Sequence, residues 1–503
     1  MKDAKTDKTA RAKACRMVLL SRSGYLCSLP FAFTAVMANL HLILGLIYTP
    51  NKLYTALNLA AAAVCIIWAL WLAVRQWRRD KTSRLVLLRI VPVLAFFAVC
   101  YGIAFASFGF DDKIVDQAKN FLLFGPTALI IGVLISTGRR ETDFFDAAER
   151  FSLAVIPVAL SYCVMSLTNT NTFIHDGVGF IDYMTLAYAY LPFVFVLAVQ
   201  AARGHAAFGG LISIRFANAL RIALLLLYWF TVLCSATRGA ILCVFAFFVV
   251  LIVYQLIARH KVRTVLLLFA AVVVSFAFFT YAYTPPGMER LSRMADFTES
   301  LAEGQVVTWE DDPAVAEAAN AVSQTPAAET SPNAHAETAT ETPTQTPAET
   351  SVLVLPDDTA AQETPPLIIG QTVNDRMTIY RLAWNEALAQ PLTGMKPFGF
   401  TMKYGSYPHN FVLELICELG FPIGGLAVLF IAYCFIRLAV RIKKDYDMAL
   451  MLVFLCGFVA AILISGTVWA RIPIMFGIGY SLGYSPRRHS LNTTIPESEV
   501  SAE

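Results

Sequence analysis

Apolar residues in this chain gather in long, nearly unbroken runs. Leu57–Val74, Val86–Ala106 and Thr264–Phe279 contain almost no charge. Each approaches the ~20 residues that a helix needs to cross a bilayer core. Within hydrocarbon a segment must satisfy its own backbone N–H and C=O groups, which makes these runs helices. The pattern predicts an all-α, polytopic membrane protein. About twelve transmembrane helices are expected, at 25–48, 54–74, 85–107, 120–137, 151–167, 183–202, 219–236, 239–258, 264–284, 410–436, 447–467 and 472–485. The last is the shortest and carries Pro473 and several glycines.

The polar intervals set an orientation. Basic clusters occur at Arg75, Arg78, Arg79, Lys81 and Arg84, at Arg139, Arg140 and Arg150, and at Arg259, Lys261 and Arg263. Arg441, Lys443, Lys444, Arg487 and Arg488 continue the series. All fall on one side if both termini are cytoplasmic, as the positive-inside bias requires. The intervening loops, Asp111–Asn120 and Asn169–Asp182, are poorer in Lys and Arg. Residues 1–24 form a basic cytoplasmic arm, 25–284 carry helices 1–9, 410–485 carry helices 10–12, and 486–503 form a cytoplasmic tail. The run Tyr25–Tyr48 exceeds the roughly 7–15 residues of a signal-peptide core, so it reads as a retained membrane helix.

One interval differs from the rest. Residues 285–409 form a long external loop whose centre, about 311–366, is dominated by Ala, Thr, Glu and Pro. Too little apolar surface is present there to offset the entropy of ordering, so disorder is expected. The following part, about 374–409, reads as folded: Ile379, Leu382, Ala383 and Ala387 recur at helical spacing over Met377–Leu388, and Pro391 stops the helix.

Composition agrees with this picture. Hydrophobic residues make up 57% and charged residues 15% of 503, with mean hydropathy +0.60, against roughly a quarter charged in soluble domains. A net charge of +3, confined to short loops, argues against nucleic acid as a partner and leaves membrane lipids as the surroundings. Nine of the ten cysteines lie inside apolar runs, the exception being Cys15, and no CxxC pair occurs. They read as packing residues.

Three features on the external side carry candidate chemistry. Arg238 lies in the polar interruption Ser235-Ala236-Thr237-Arg238-Gly239-Ala240. Arg376, with Arg381 nearby, opens the helical stretch of the outer loop. His409-Asn410 stands at the mouth of the tenth helix, where Glu414 and Glu418, four apart, share a face. Taken singly, a snorkelling arginine, a solvated arginine and an interfacial histidine are ordinary structural residues. Together, two guanidiniums suit phosphate oxygens, and an imidazole suits general-base activation of a hydroxyl. Carboxylates within a membrane segment are costly and usually face a cavity or a partner.

In order and placement these stretches resemble the O-antigen ligase and O-antigen polymerase superfamily of bacterial membrane glycosyltransferases. Ser235–Ala240 is similar to the family's Ser/Thr-Arg-Gly signature. Asp375–Tyr380, followed by Ala387, Leu388, Pro391 and Gly394, looks like its Arg-x3-aromatic pattern, Ala-Leu helix and Pro-Leu-x-Gly turn. His409-Asn410 with Gly420 is similar to the ligase His-Asn-x9-Gly motif. The resemblance spans about residues 120–470. It departs at Gly424, which follows Gly420 by four residues rather than three, at Tyr380 in place of tryptophan, and in the Ala/Thr/Glu/Pro insert.

The resemblance implies a multi-helical lipid-donor glycosyltransferase of the bacterial cytoplasmic (inner) membrane, working without metal or other cofactor and inverting the anomeric centre. Its donor would be a glycan on undecaprenyl pyrophosphate, and its acceptor a hydroxyl of a lipid or cell-surface glycan. Arg238 and Arg376 would grip pyrophosphate and His409 would activate the acceptor, with Asn410 or a glutamate orienting the imidazole. Asn410, Arg381, Glu414 and Glu418 are assigned to substrate binding. Ligase and polymerase activity remain open, with His409-Asn410 favouring ligase. A lipid-linked sugar transporter is the alternative from another class, disfavoured by the lack of a visible internal repeat.

Overall fold

A computed structural model describes residues 51–79, 81–138, 140–168, 183–204, 214–235, 237–281, 352–353, 367–368, 373–464, 467–469 and 472–485. The expected helix at 25–48, the loop 169–182, the tail and nearly all of the insert lie outside them. The fold is helical: α1 Asn51–Arg79, α2 Lys81–Leu88, α3 Val91–Phe108, α4 Asp112–Gly138, α5 Glu141–Ala154, α6 Ile156–Thr168, α7 Tyr183–Arg203 and α8 Ile214–Cys234. Then follow α9 Arg238–Ala258, α10 Val262–Tyr281, α11 Val373–Ala389, α12 Gly399–Tyr404, α13 Phe411–Ala439, α14 Tyr446–Ile464 and α15 Ile472–Gly483. Among the described residues, two-residue strands β1 Val352–Leu353 and β2 Leu367–Ile368 pair antiparallel. β1 uses the apolar Val-Leu-Val-Leu break in the Ala/Thr/Glu/Pro insert.

Among the described residues, six helical segments are long and apolar enough to cross a membrane, or seven if α5 and the start of α6 form one span bent by 47°. The exterior matches that reading: Val274, Leu426 and Leu429 are each about two-thirds exposed, an apolar surface suited to lipid. This is the architecture of a polytopic helical membrane protein.

Several expected boundaries move. Residues 112–120, read as loop, are the first turns of α4, with Asp112 at its start. The expected helix 151–167 is bent at Val155, where Pro157 removes an amide from the helical ladder. The helix before it, α5, holds Arg150, a cation expected in a loop.

Among the described residues, the most extensive helix contact is between α4 and α15. Small residues allow it. An added Cβ on Gly132 would run into the Phe476 carbonyl, on Gly479 into the Leu129 carbonyl, and on Gly483 into the Ser136 hydroxyl. Gly132 and Ser136 on α4 thus face Gly479 and Gly483 on α15, a small-xxx-small seam that lets two backbones meet inside a membrane. The short glycine-rich final helix packs closely because of those glycines. Around the seam, Phe144, Phe145, Phe195, Phe247, Phe454 and Phe476 interlock as aromatic pairs in the core.

Candidate functional site

The site is built on a broken helix. Within α13, Gly420 has φ 74° and ψ 168°, and an added Cβ on Gly424 would strike the Leu415 carbonyl. Residues nine apart cannot touch along a straight helix, so the chain folds back at Gly420. The first part, Phe411–Leu419, reaches only ~13 Å, while the part after the break spans ~28 Å, close to a hydrocarbon core. This corrects the expected single membrane helix at 410–436. Glycine is what admits the left-handed φ, and Pro422 follows the break.

A break strands backbone groups, which must find partners. The turn after α11 supplies them. Phe421 N–H donates to Pro391 O at 2.8 Å, and Met395 N–H donates to Cys417 O at 3.0 Å. Gly394, at φ 64°, lies so close that an added Cβ would stand 2.6 Å from Glu418 O. A small separate core joins the same pieces: Ile379, Ala383 and Ala387 of α11 pack with Phe400, Tyr404 and Cys417. The Pro391–Gly394 turn and the Gly420 position, 26 residues apart in number, are two halves of one structure.

His409 stands immediately before Asn410 and α13, half-buried, in a left-handed backbone conformation at φ 55°. Its Nε2 lies 3.4 Å from Ser406 Oγ, and its ring sits 4.2 Å from that of Tyr407. Ser406 and Tyr407 were not anticipated; adjacency to the histidine was the only signal. Asn410 caps α13: its Oδ1 accepts from Val412 N–H at 3.0 Å and Leu413 N–H at 3.3 Å. The expected substrate-binding role for Asn410 must therefore share its side chain with a structural one.

Arg376 lies near the start of α11, half-buried, one turn before Tyr380. Burial pushes the Tyr380 hydroxyl above its ordinary value, and the Arg376 charge works the other way. Arg381 is exposed on the same helix. Further along α11, Glu386 accepts from Lys403 Nζ at 2.7 Å and from the Tyr404 hydroxyl. Partial burial works against its charge, but the bonds from Lys403 and Tyr404 hold the carboxyl below its ordinary value. Lys113 Nζ reaches Gly405 O at 3.3 Å, tying α4 to the same loop. No periodic pattern marked Glu386, Lys403 or Lys113 in advance.

Glu414 and Glu418 are 1% and 0% exposed. Glu414 accepts from Thr467 Oγ1 at 2.5 Å and from Val468 N–H at 2.7 Å. Glu418 Oε2 accepts from Phe398 N–H and Trp469 Nε1, both at 2.9 Å. Phe398 stacks on Trp469 with centroids 5.2 Å apart, and Tyr101 of α3 donates to Trp469 O at 2.9 Å. Both carboxyl groups are thus engaged with protein donors, so a substrate-binding role for either shares the side chain with a structural one.

Arg238 is the first residue of α9, a helix packed on α14, α10 and α7 in the main bundle. Ser235 and Thr237 before it are buried and hydrogen-bonded to each other at 3.2 Å. The structure brings the Arg376 helix and His409 into one local unit; Arg238 opens a different element.

No family model matches the chain, and neither does any curated protein or solved structure. Among the described residues, no group of three or more His, Cys, Asp or Glu side chains could hold a metal ion.

A second polar cluster lies within the bundle. Glu149 of α5 pairs with Arg221 of α8, each 1% exposed, and Gln200 and Asn218 complete their hydrogen bonds. Arg203 of α7 extends the cluster to Thr142 at 2.7 Å and to Asp447 of α14 at 3.0 Å. The signal in the sequence was a lone Arg221 inside an apolar run.

Proposed function

We propose that this protein is a glycosyltransferase of the bacterial cytoplasmic membrane, O-antigen ligase-like, that moves a glycan from undecaprenyl pyrophosphate to an acceptor hydroxyl on the outer face. The reading includes about twelve spans, both termini in the cytoplasm and the 285–409 loop outside. One observation supports it above others. The two stretches that resemble family motifs in the outer loop, Arg376 to Gly394 and His409 to Gly420, close on each other through the Pro391–Phe421 and Met395–Cys417 hydrogen bonds.

In this reading Arg376, with Arg238, binds the pyrophosphate and offsets the charge that grows on it as the sugar–phosphate bond breaks. His409 takes the proton of the acceptor hydroxyl as its oxygen attacks the anomeric carbon opposite the leaving group, inverting the centre. Ser406 and Tyr407 hold the imidazole. Arg381, exposed on α11, meets the donor glycan in this reading. A polymerase differs only in acceptor, a second lipid-linked glycan.

The buried Glu149–Arg221 pair favours a transporter as the second reading, since charges inside membrane helices often line a pathway. Its members, however, satisfy one another, as in a structural ion pair. Reconstitution with a lipid-linked oligosaccharide and candidate acceptors separates the readings. A covalent glycan–acceptor product is expected; movement of intact lipid-linked sugar across the bilayer without such a product contradicts transfer.

A further inference from the structure

Three non-glycine residues between α11 and α13 hold left-handed backbone conformations: Lys396 at φ 71°, Phe398 at φ 68° and His409 at φ 55°. Each such residue is costly, and surroundings must over-determine it. At Phe398 the determinant is visible. Its N–H is held by Glu418, and its ring is stacked on Trp469, whose indole N–H goes to the same carboxylate oxygen. Four residues earlier, Glu414 holds Thr467 and Val468 of the same 467–469 segment. Four donors from two separate chain segments therefore converge on two buried carboxylates of the short helix that begins beside His409.

We propose that Glu414 and Glu418 are positioning residues, which clamp the Phe398 turn and the 467–469 segment onto the first part of α13 and so fix where His409 stands. The proposal deepens the transferase reading and rests on it for its catalytic meaning. In this role the carboxyl groups act through the backbone of the loop that carries His409. The bond pattern makes a graded forecast. The Phe398 and Trp469 donors to Glu418 use one oxygen, so the carbonyl oxygen of a glutamine can replace it for both. At Glu414 the donors use different oxygens, and glutamine fits only if the Thr467 hydroxyl reverses to accept.

The test reads backbone exchange and catalysis in the same full-length protein. Glu418→Ala is expected to speed amide hydrogen exchange in a peptide covering 396–404 by roughly tenfold or more, the scale of a lost buried hydrogen bond. Glycan turnover should fall with donor KM little changed, and Glu418→Gln should restore both. Glu414→Gln should be mild alone and severe with Thr467→Val. If Glu418→Ala does not accumulate, Trp469→Phe keeps the stacked ring, removes one donor and should give a smaller change of the same kind. Unchanged exchange in these variants, or faster exchange with normal turnover, overturns the proposal. A wild-type protein without transfer activity overturns the functional reading instead, while the exchange result still decides whether the carboxylates hold the loop.

Discussion

Gly394, in the turn after α11, lies backbone to backbone against Gly420 at the break in α13. Both have φ in the left-handed region, and at Gly420 an added Cβ would also stand 2.6 Å from Leu392 O. Alanine at either position meets a steric and a conformational penalty together. Gly394→Ala and Gly420→Ala should each destabilise the protein by more than ~1 kcal/mol. Thermal unfolding in detergent micelles checks this; an unchanged midpoint for both would mean that the turn is not docked in the break.

Asn410 has a measurable structural share. Losing its cap should cost about 1 kcal/mol in Asn410→Ala, whereas Asn410→Asp and Asn410→Ser keep an acceptor for the Val412 and Leu413 amides. If Asn410→Asp keeps stability but loses transfer, the side chain also serves the reaction. If it keeps both, capping is the whole role.

The Glu149–Arg221 pair makes a different forecast. Removing one member leaves a buried charge alone, so Arg221→Met should destabilise by roughly 3–5 kcal/mol. Glu149→Leu with Arg221→Met removes both charges and should recover much of the loss. A double variant that is stable but fails in glycan transfer would assign the pair to function instead.

Glu386 sets a pH dependence. Its folded value lies below the ordinary 4.5, so its contribution is present above the unfolded value and is lost as pH falls through the folded one. The contact between α11 and α12 should loosen on the acid side of the ordinary glutamate range. Amide exchange over 373–404, corrected for intrinsic rates, should show that loosening in the wild type and a flatter profile in Glu386→Gln.

How much of this could be read in advance varied with the kind of signal. Apolar runs marked apolar helices because lipid demands uninterrupted hydrophobicity: residues 239–258 and 447–467 lie close to α9 and α14, and the first of these is long and apolar enough to cross a membrane. The break at Gly420 escaped, because FVLELICELGFPIGG keeps its hydrophobicity through the reversal and only the paired Gly420 and Pro422 hint at it. The start of α4 escaped for the opposite reason: Asp112–Asn120 is polar yet helical. Candidate residues were found by charge in an unusual place. The partners that fix them, Phe398, Ser406, Thr467 and Trp469, act through backbone amides, hydroxyls and stacking, which leave no periodic trace. Glu414 and Glu418 stand out by their cost in an apolar helix, and the partners that the sequence left unnamed include Thr467, Val468, Phe398 and Trp469.

In the proposed reaction His409 and Arg376 act on one bound lipid-linked glycan, and glycan transfer by matched variants tests this most directly. In membranes holding equal amounts of each protein, His409→Ala should lose transfer by ~10²–10⁴-fold while donor binding persists. Arg376→Lys should also lose most activity, because an ammonium does not reproduce the planar donors of a guanidinium. Arg238→Ala should weaken donor binding and turnover together, and Arg381→Ala should matter less. Near-normal transfer by both His409→Ala and Arg376→Ala would contradict the account.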